Sequence, residues 1–496
     1  MSEVSQDQIR VLISAGEVSG DQHASLVIEE LRRAYPQACF KGMGGASLKA
    51  AGVDIIVDAQ RYGGKNGFNI LDILSSSLYA FWTMLTCLWR WKPKLLILVD
   101  YPDFNLRLAF FAKLLGVPVL YHIPPKLWAW RTGRIKRIRK SVDKVACIFP
   151  FEANFYKDHK YQNAHYVGHP FADEFPKDLD KRRIKEKFCQ TYGLDVHQPL
   201  VAVFPGSRKS EVLRHLPILS ATIELVRQSV PKVQFVVVRG PGLSDELFSS
   251  LGTLKGVVVQ SNIQIEAMQA ADVGLLKSGT CNVEAAFCKL PFVCMYTTPK
   301  ISAWIIRRFV KLTEYSLVNI IRKNTVREIM QEEATPENLA GELLKLITNR
   351  EEELTRVTQG LFEVEQTLRS NDLESNDQSA ARNAALLAAE LLELRRPERV
   401  LSRLISYLGR YKSQFYLSLF CMVLFGASDG AIPFLVKHIL DGVFSEQNEN
   451  LLYVLPVILI VFAVLRAGVD IGQHFILTRI GHNIVRDIRN DTAQHL

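Results

Sequence analysis

The sequence predicts an α/β chain: two successive doubly wound parallel-sheet domains, then a C-terminal α-helical membrane segment. Three observations carry that reading. Short, almost wholly apolar β-type runs alternate with helix-length stretches in two separate series, as strands covered on both faces require. A charged stretch, DEFPKDLDKRRIKEKF, divides the two series. Beyond residue 400 the composition turns to long apolar runs of nearly membrane-spanning length. The implied boundaries are 1–172, 173–395 and 396–496, consistent with a 496-residue chain too long for one core.

The first series reads IRVLISA, KLLILVD (94–100), VPVLYHI (117–123) and KVACIFP (144–150). The second reads LVAVFPG (200–206), VQFVVVRG (233–240), GVVVQ (256–260), ADVGLLKSG (271–279) and PFVCMY (291–296). Two such domains in tandem enclose a cleft, and open α/β sheets bind ligands outside the carboxyl ends of their strands. From 335 to about 395 the pattern is polar and helical.

Hydrophobic residues make up 48% of the chain and charged residues 22%, the balance of a folded globular protein. The net charge of +9 gathers at 131–144, 305–311 and 395–412. Such clusters suit an anionic membrane, phosphorylated ligands or nucleic acid, or form solvated helix faces; no nucleic-acid motif accompanies them. The eight cysteines show neither a CxxC pair nor a disulfide framework. MSEVSQDQIR lacks the basic-then-apolar pattern of a signal sequence, so a cytosolic body with reduced thiols is expected.

The chemistry concentrates at strand ends. In GEVSGD the glycines allow a tight strand-to-helix turn, but Glu17 and Asp21 stand where a phosphate would sit in a nucleotide-binding turn. Carboxylates there accept hydrogen bonds from hydroxyls or abstract protons. Ser19 or Asp21 as a simple helix cap is the other reading. LVDYPDFN adds Asp100 and Asp103 at a second strand end, around a rigid Pro102. Glu17, Asp100 and Asp103, with Ser19 and Asp21, thus outline a cavity for a sugar hydroxyl.

The second domain has the opposite character. VFPGSRKSEV sets Gly206, Ser207 and Arg208 directly after a strand, where backbone N–H groups and a guanidinium suit a diphosphate. LKSGTCNVEAA repeats the pattern with Ser278, Gly279 and Thr280, and Glu284 stands one helical turn on, placed for a ribose. Nucleotide in the second domain and alcohol in the first is the layout of a two-domain sugar-nucleotide glycosyltransferase.

GEVSGD, GMGG (42–45), VDYPDFN, LWAWRTGRIKRI, FPFE (149–152), YVGHP (166–170), FPGSRKSE, SGTCNVEAA and YSLVNII (315–321) occur in an order that resembles the lipid-A-disaccharide synthases, over roughly residues 8–390. The resemblance implies a glycosyltransferase-B fold of two Rossmann-like domains and inverting transfer from UDP-2,3-diacylglucosamine to 2,3-diacylglucosamine 1-phosphate (lipid X). It implies essential roles for Glu17, Asp100, Arg208 and Asn319. Asp100 is the expected general base, with Glu17 the alternative; Arg208 would stabilise departing UDP and Glu284 hold ribose. No cofactor is expected, and no DxD-type metal motif accompanies the nucleotide loops. Where the family has a serine-containing SPxxWAW segment this sequence reads Pro124-Pro125-Lys126-Leu127-Trp128-Ala129-Trp130, with proline in the serine position, and Lys277 precedes SGT where a small residue is usual.

Two stretches point to lipid. In 70–91 Leu71, Leu74, Leu78 and Trp82 fall on one helical face beside Phe81, and AWIIRRFVKL (303–312) mixes aromatic, aliphatic and basic residues as interfacial helices do. In the tail, 415–436 and 451–465 read as two spans, with flanking arginines placing both ends on the cytoplasmic side and the enzyme domains at the cytoplasmic face of the inner membrane. The tail resembles the first two spans of a lipid-flipping ABC exporter. It implies either an anchor or part of a synthase–exporter fusion whose remaining half would be a partner; the chain has no GxxxxGK[ST] loop. Two other functions share these residues: another UDP-sugar enzyme of the fold, and a transport subunit with a sugar-nucleotide-sensing domain.

Overall fold

A computed structural model describes residues 9–59, 70–129, 132–252, 256–299, 303–304, 314–348, 351–370, 379–393, 409–440 and 449–493. The chain divides into two compact units, one of residues 1–394 apart from 114–116 and one containing 395–496.

The first unit holds two wholly parallel sheets. Strands β1 (Arg10–Ala15), β2 (Cys39–Gly44), β3 (Asp54–Asp58), β4 (Leu95–Val99), β5 (Val119–His122), β6 (Lys144–Cys147) and β7 (Ala164–Tyr166) form a seven-stranded sheet. Its order is β3-β2-β1-β4-β5-β6-β7. Strands β8 (Leu200–Phe204), β9 (Gln234–Arg239), β10 (Val257–Ser261), β11 (Val273–Lys277), β12 (Phe292–Tyr296) and β13 (Arg327–Met330) form the second, in the order β10-β9-β8-β11-β12-β13. The apolar runs become the central strands because every side chain of a strand such as β4 is buried, on one face or the other. Strands β2, β3, β7 and β13 escape the apolar-run criterion. Three of them are sheet edges, and β2 carries Lys41 and two glycines in six residues.

Both sheets reverse direction of winding at one place, between β1 and β4 in the first and between β8 and β11 in the second. These switch points leave a crevice at the carboxyl ends, where the loops after β1, β4, β8 and β11 project.

The helix Ala380–Glu393, grouped by sequence position with the second domain, covers the first sheet instead. Ala384, Ala388 and Leu391 pack with Val11, Ile13, Ile97 and Leu120, the alanines letting the helix lie close. Asp173 accepts the N–H groups of Ala380 and Ala381 at 3.2 and 3.0 Å, and Asn383 donates to the Val167 carbonyl at 3.0 Å. The chain therefore crosses between the sheets twice. The crossings bond each other: Tyr166 donates to the Thr367 carbonyl at 2.8 Å and the His169 N–H to that of Leu368 at 3.0 Å.

Among its described residues the second unit holds two long helices, Lys412–Leu440 and Glu449–Ala493. Tyr411 donates to Asp487 at 2.8 Å, and the Arg466 guanidinium lies 4.9 Å over the Phe425 ring. Among the described residues one segment, Ile460–Asp487, is long and apolar enough to cross a membrane, by length and composition.

Candidate active site

Glu17 and Asp100 follow neighbouring strands. Register pairs Ala15 with Val99, so the loops after β1 and β4 emerge side by side. Glu17 begins the helix Val18–Ala34 without capping it, and its carboxyl is only partly shielded. Burial raises its pKa, the Asp100 charge raises it further, and Lys126 opposes both. Burial also raises the Asp100 carboxyl, partly offset by the Tyr101 backbone N–H and by Lys126. Two carboxylates of raised basicity and one ammonium thus share the crevice, a suitable setting for accepting a proton.

The backbone at Asp100 is unusual. Asp100 and Tyr101 hold φ of 47° and 46°, two consecutive left-handed residues without glycine, at a cost on the order of 1–3 kcal/mol each. The Tyr101 ring stacks on Phe104 with centroids 5.5 Å apart and lies across Gly16, where a Cβ would stand 2.4 Å from it. That close approach explains the glycine before Glu17.

Removing the Lys126 charge is expected to raise the pKa of both carboxyls, because the ammonium holds each down. If either accepts the proton, the acidic limb of the pH–rate profile of Lys126→Met moves to higher pH. An unmoved limb in that profile would show that neither group is the base.

The other acidic residues have different tasks. Asp21 is buried, and its oxygens accept the N–H groups of Gly45, Ser47 and Leu48 at 2.6, 2.9 and 3.3 Å. It caps the helix Ala46–Ala50, binding GEVSGD to GMGG, and is no longer open to an acceptor hydroxyl. Ser19 is exposed on the first turn of its helix. Asp103 lies at the surface, paired with Arg134.

At the second switch point Gly206 has φ +128°, and a Cβ there would meet the Glu211 carboxylate at 3.0 Å. Ser207 and Arg208 are exposed, and Arg208 opens the helix Lys209–Ser229. Lys277, unexpected in sequence, pairs with Glu211 at 3.3 Å and lies 5.7 Å over the Tyr296 ring, tying the β8 and β11 loops together. Ser278 donates its hydroxyl proton to the Tyr315 carbonyl at 2.9 Å, and the Gly279 N–H goes to Asn282 at 3.2 Å. Those donors hold the loop, while Thr280 is exposed at the start of Cys281–Phe287. Glu284 accepts from Gln264; burial raises its pKa, Gln264 opposing and Glu174 adding to the rise.

Asn319 is buried. Its Nδ2 donates to the Val326 carbonyl at 2.9 Å and to Glu328 at 2.7 Å, and its Oδ1 accepts the Val326 N–H at 2.9 Å. With the amide so engaged it braces the loop before β13. Glu328 also accepts the Tyr315 and Ser316 N–H groups, each at 2.9 Å, so the brace continues to Ser278 through the Tyr315 carbonyl.

Sequence reasoning did not anticipate two buried clusters beside the site. Trp128 donates to Glu152 at 3.0 Å, linking the WAW and FPFE motifs, and burial lifts Glu152 to about 7 against that bond and the backbone N–H groups. His23, His122 and His169 are held neutral, at about 4, 3 and 3, chiefly by burial. His23 Nδ1 lies 3.5 Å from Glu174. Trp128, Glu152 and His169 fall within family motifs, but nothing in the sequence showed that they would meet in buried clusters.

A family model described as lipid-A-disaccharide synthetase matches residues 11–383. The chain belongs to that family. Lipid-A-disaccharide synthase of Trichlorobacter lovleyi is 37% identical over 361 residues, 71% of this chain and 93% of the relative. That of Myxococcus xanthus is 35% identical over 340 residues, 68% and 88%. UDP-GlcNAc 2-epimerase of Neisseria meningitidis, solved with UDP-GlcNAc, superposes with TM-score 0.53 at 13% identity, covering 73% of this chain and 97% of that one. A UDP-glucose:anthocyanidin 3-O-glucosyltransferase solved with UDP gives 0.51 at 13%. The fold of this lipid-A-disaccharide synthetase family member is thus that of the two-sheet glycosyltransferase-B enzymes. Its activity is glycosyl transfer in lipid A disaccharide synthesis.

Proposed function

We propose that the enzyme transfers the diacylglucosaminyl group of UDP-2,3-diacylglucosamine to the 6-hydroxyl of 2,3-diacylglucosamine 1-phosphate, with inversion. Asp100 takes the hydroxyl proton as the acceptor oxygen attacks the anomeric carbon; the bond from that carbon to the diphosphate breaks, and UDP departs with the electron pair. A carboxylate made more basic by burial serves the first half of this exchange. Arg208 and the backbone donors around Gly206 serve the second, neutralising charge that grows on the leaving group. Glu17 is the alternative base, and Glu284 would hold the ribose.

One observation carries this reading: residues of opposite charge stand at the two switch points, Glu17 and Asp100 on one sheet and Arg208 on the other. The test incubates the full chain with both diacylated substrates in mixed micelles. Equal amounts of UDP and β-1,6-linked disaccharide 1-phosphate are expected; UDP release without disaccharide, or no reaction with active controls, would overturn it.

The acyl chains require approach to a membrane, and the helix Ile70–Trp91 supplies an apolar face. Leu78 is 52% exposed and Trp82 63%, with Tyr79, Trp89 and Phe110 also exposed nearby. Phe81 is not part of that face: it packs edge-on against Phe104 and Phe111, at 5.6 and 5.9 Å. The side chains of Leu71 and Leu74, and most of 303–312, lie outside the described residues, though Trp304 is exposed. Leu78→Ser with Trp82→Ser is expected to cut partition of the enzyme domains onto anionic vesicles by roughly tenfold or more, given about 1.5–3 kcal/mol per large side chain withdrawn from water. Unchanged sedimentation with vesicles would remove the docking role.

We further propose that the apolar tail holds the enzyme at the cytoplasmic face of the inner membrane. The family match ends at residue 383, and the apolar segment Ile460–Asp487 supports anchoring. The exporter resemblance of the tail adds no activity to this reading.

A further inference from the structure

The left-handed turn at Asp100 is held by two fully buried side chains, Asn105 and Tyr121, with buried Ser14 bracing Asn105. The Asp100 carbonyl oxygen accepts Asn105 Nδ2 at 2.7 Å and the Tyr121 hydroxyl at 2.8 Å. Asn105 Nδ2 also reaches the Val99 carbonyl at 3.2 Å, and its Oδ1 accepts the Ser14 hydroxyl at 2.6 Å. The Asp100 N–H donates to the His122 carbonyl at 3.3 Å and the Asn105 N–H to that of Tyr101 at 3.0 Å. Tyr121 stands on β5 and Asn105 on the helix Pro102–Leu114, so two elements around β4 hold the Asp100 carbonyl, and Ser14 on β1 braces Asn105 from behind. All three side chains are completely shielded from solvent.

None of these bonds touches the Asp100 carboxylate. They govern only the direction in which the main chain presents it. We propose that Ser14, Asn105 and Tyr121 are positioning residues, a buried clamp that fixes the Asp100 carbonyl and thereby aims its carboxylate across the crevice. The inference rests on Asp100 acting as the base. Burial holds the Tyr121 phenol well above its ordinary pKa, so it remains a donor throughout the working pH range. Around the carboxylate stand Glu17 from the β1 loop, Lys126 from the β5 loop, Tyr101 beside it and Tyr121 beneath it, with the Asp103–Arg134 pair farther out.

Tyr121→Phe keeps the ring and removes one bond of the clamp; Asn105→Ala removes its centre. For Tyr121→Phe we expect kcat to fall about 10- to 100-fold with KM for both substrates within about twofold, since small misplacements of a reacting group carry penalties of that size. The released carboxylate gains solvent, so the acidic limb of the pH–rate profile moves to lower pH, a shift that loss of stability alone does not produce. Asn105→Ala should show the same pattern more strongly, read by circular dichroism and kinetics below its melting temperature. Wild-type kcat and an unmoved limb in folded Tyr121→Phe would overturn the clamp. Asp100→Asn, assayed alongside, separates the two ideas. An active Asp100→Asn removes the base assignment itself, whereas an inactive one with an unaffected Tyr121→Phe removes only the clamp.

Discussion

Asp100→Asn is expected to lower kcat by about 10³-fold, within the range general-base catalysis supplies, while leaving the fold intact. Asparagine keeps the shape of aspartate and tolerates a φ of 47° far better than alanine does. Asp100→Ala would add backbone strain of about 1–2 kcal/mol and confuse the result. The stability effect has a definite sign. Burial raises the Asp100 carboxyl, so its ionised form costs folding free energy above its raised folded-state pKa, and that cost vanishes below the unfolded-state value. Asp100→Asn should therefore melt no lower than wild type at neutral pH, with any gain disappearing on acidification. Glu17→Gln in parallel identifies the base: the larger loss of kcat belongs to it. Near-wild-type turnover by folded Asp100→Asn would sink the assignment.

Arg369→Ala should be the most damaging single change to stability in the enzyme domains. Its guanidinium is 5% exposed and donates to Glu365 at 2.9 Å and to the carbonyls of Ala172, Phe175 and Pro176 at 3.1, 3.0 and 3.3 Å. It also lies 5.0 Å over the Phe287 ring. This one side chain ties the helix Glu351–Leu368 to the segment where the chain first passes between the sheets. Truncation leaves a buried Glu365 without its counter-charge and three carbonyls without a donor, a loss of about 3–5 kcal/mol. At roughly 2 °C per kcal/mol for a unit of this size, Tm falls by roughly 6–10 °C. Adding Glu365→Gln should recover part of that loss, because the stranded charge is then gone. A loss under about 1 kcal/mol in denaturant melts would show that the linker carbonyls find other donors.

The two largest effects fall on residues of unequal legibility. Asp100 stood out because an acidic residue after an apolar strand run has a position as well as a chemistry. Arg369 read as half of an ordinary helical pair with Glu365, since the carbonyls of Ala172 and Phe175 that it holds lie nearly two hundred residues earlier in the chain. The same contrast runs through the site. Asp21 and Glu17 look equivalent in GEVSGD, yet Asp21 is bound by three backbone N–H groups of the next loop while Glu17 stays open. Asn319 matches an essential family position, but its amide is spent on Val326 and Glu328. Ser278 and Gly279 resemble anion ligands, and their donors hold Tyr315 and Asn282.

Sequence alone determined the two parallel sheets, the central strands and the opposite chemistry of the two sets of strand-end loops. Strands buried on both faces must be written as apolar runs, and a run's carboxyl end marks where function-bearing loops emerge. Tertiary structure alone decided which polar groups remain available to a substrate. That is a matter of long-range hydrogen bonding: each buried donor and acceptor takes a partner wherever the fold brings one, so its sequence neighbours do not reveal whether it is spent or free. The return of Ala380–Glu393 to the first sheet and the clamp on the Asp100 carbonyl belong to the same class, contacts between segments that only folding makes neighbours.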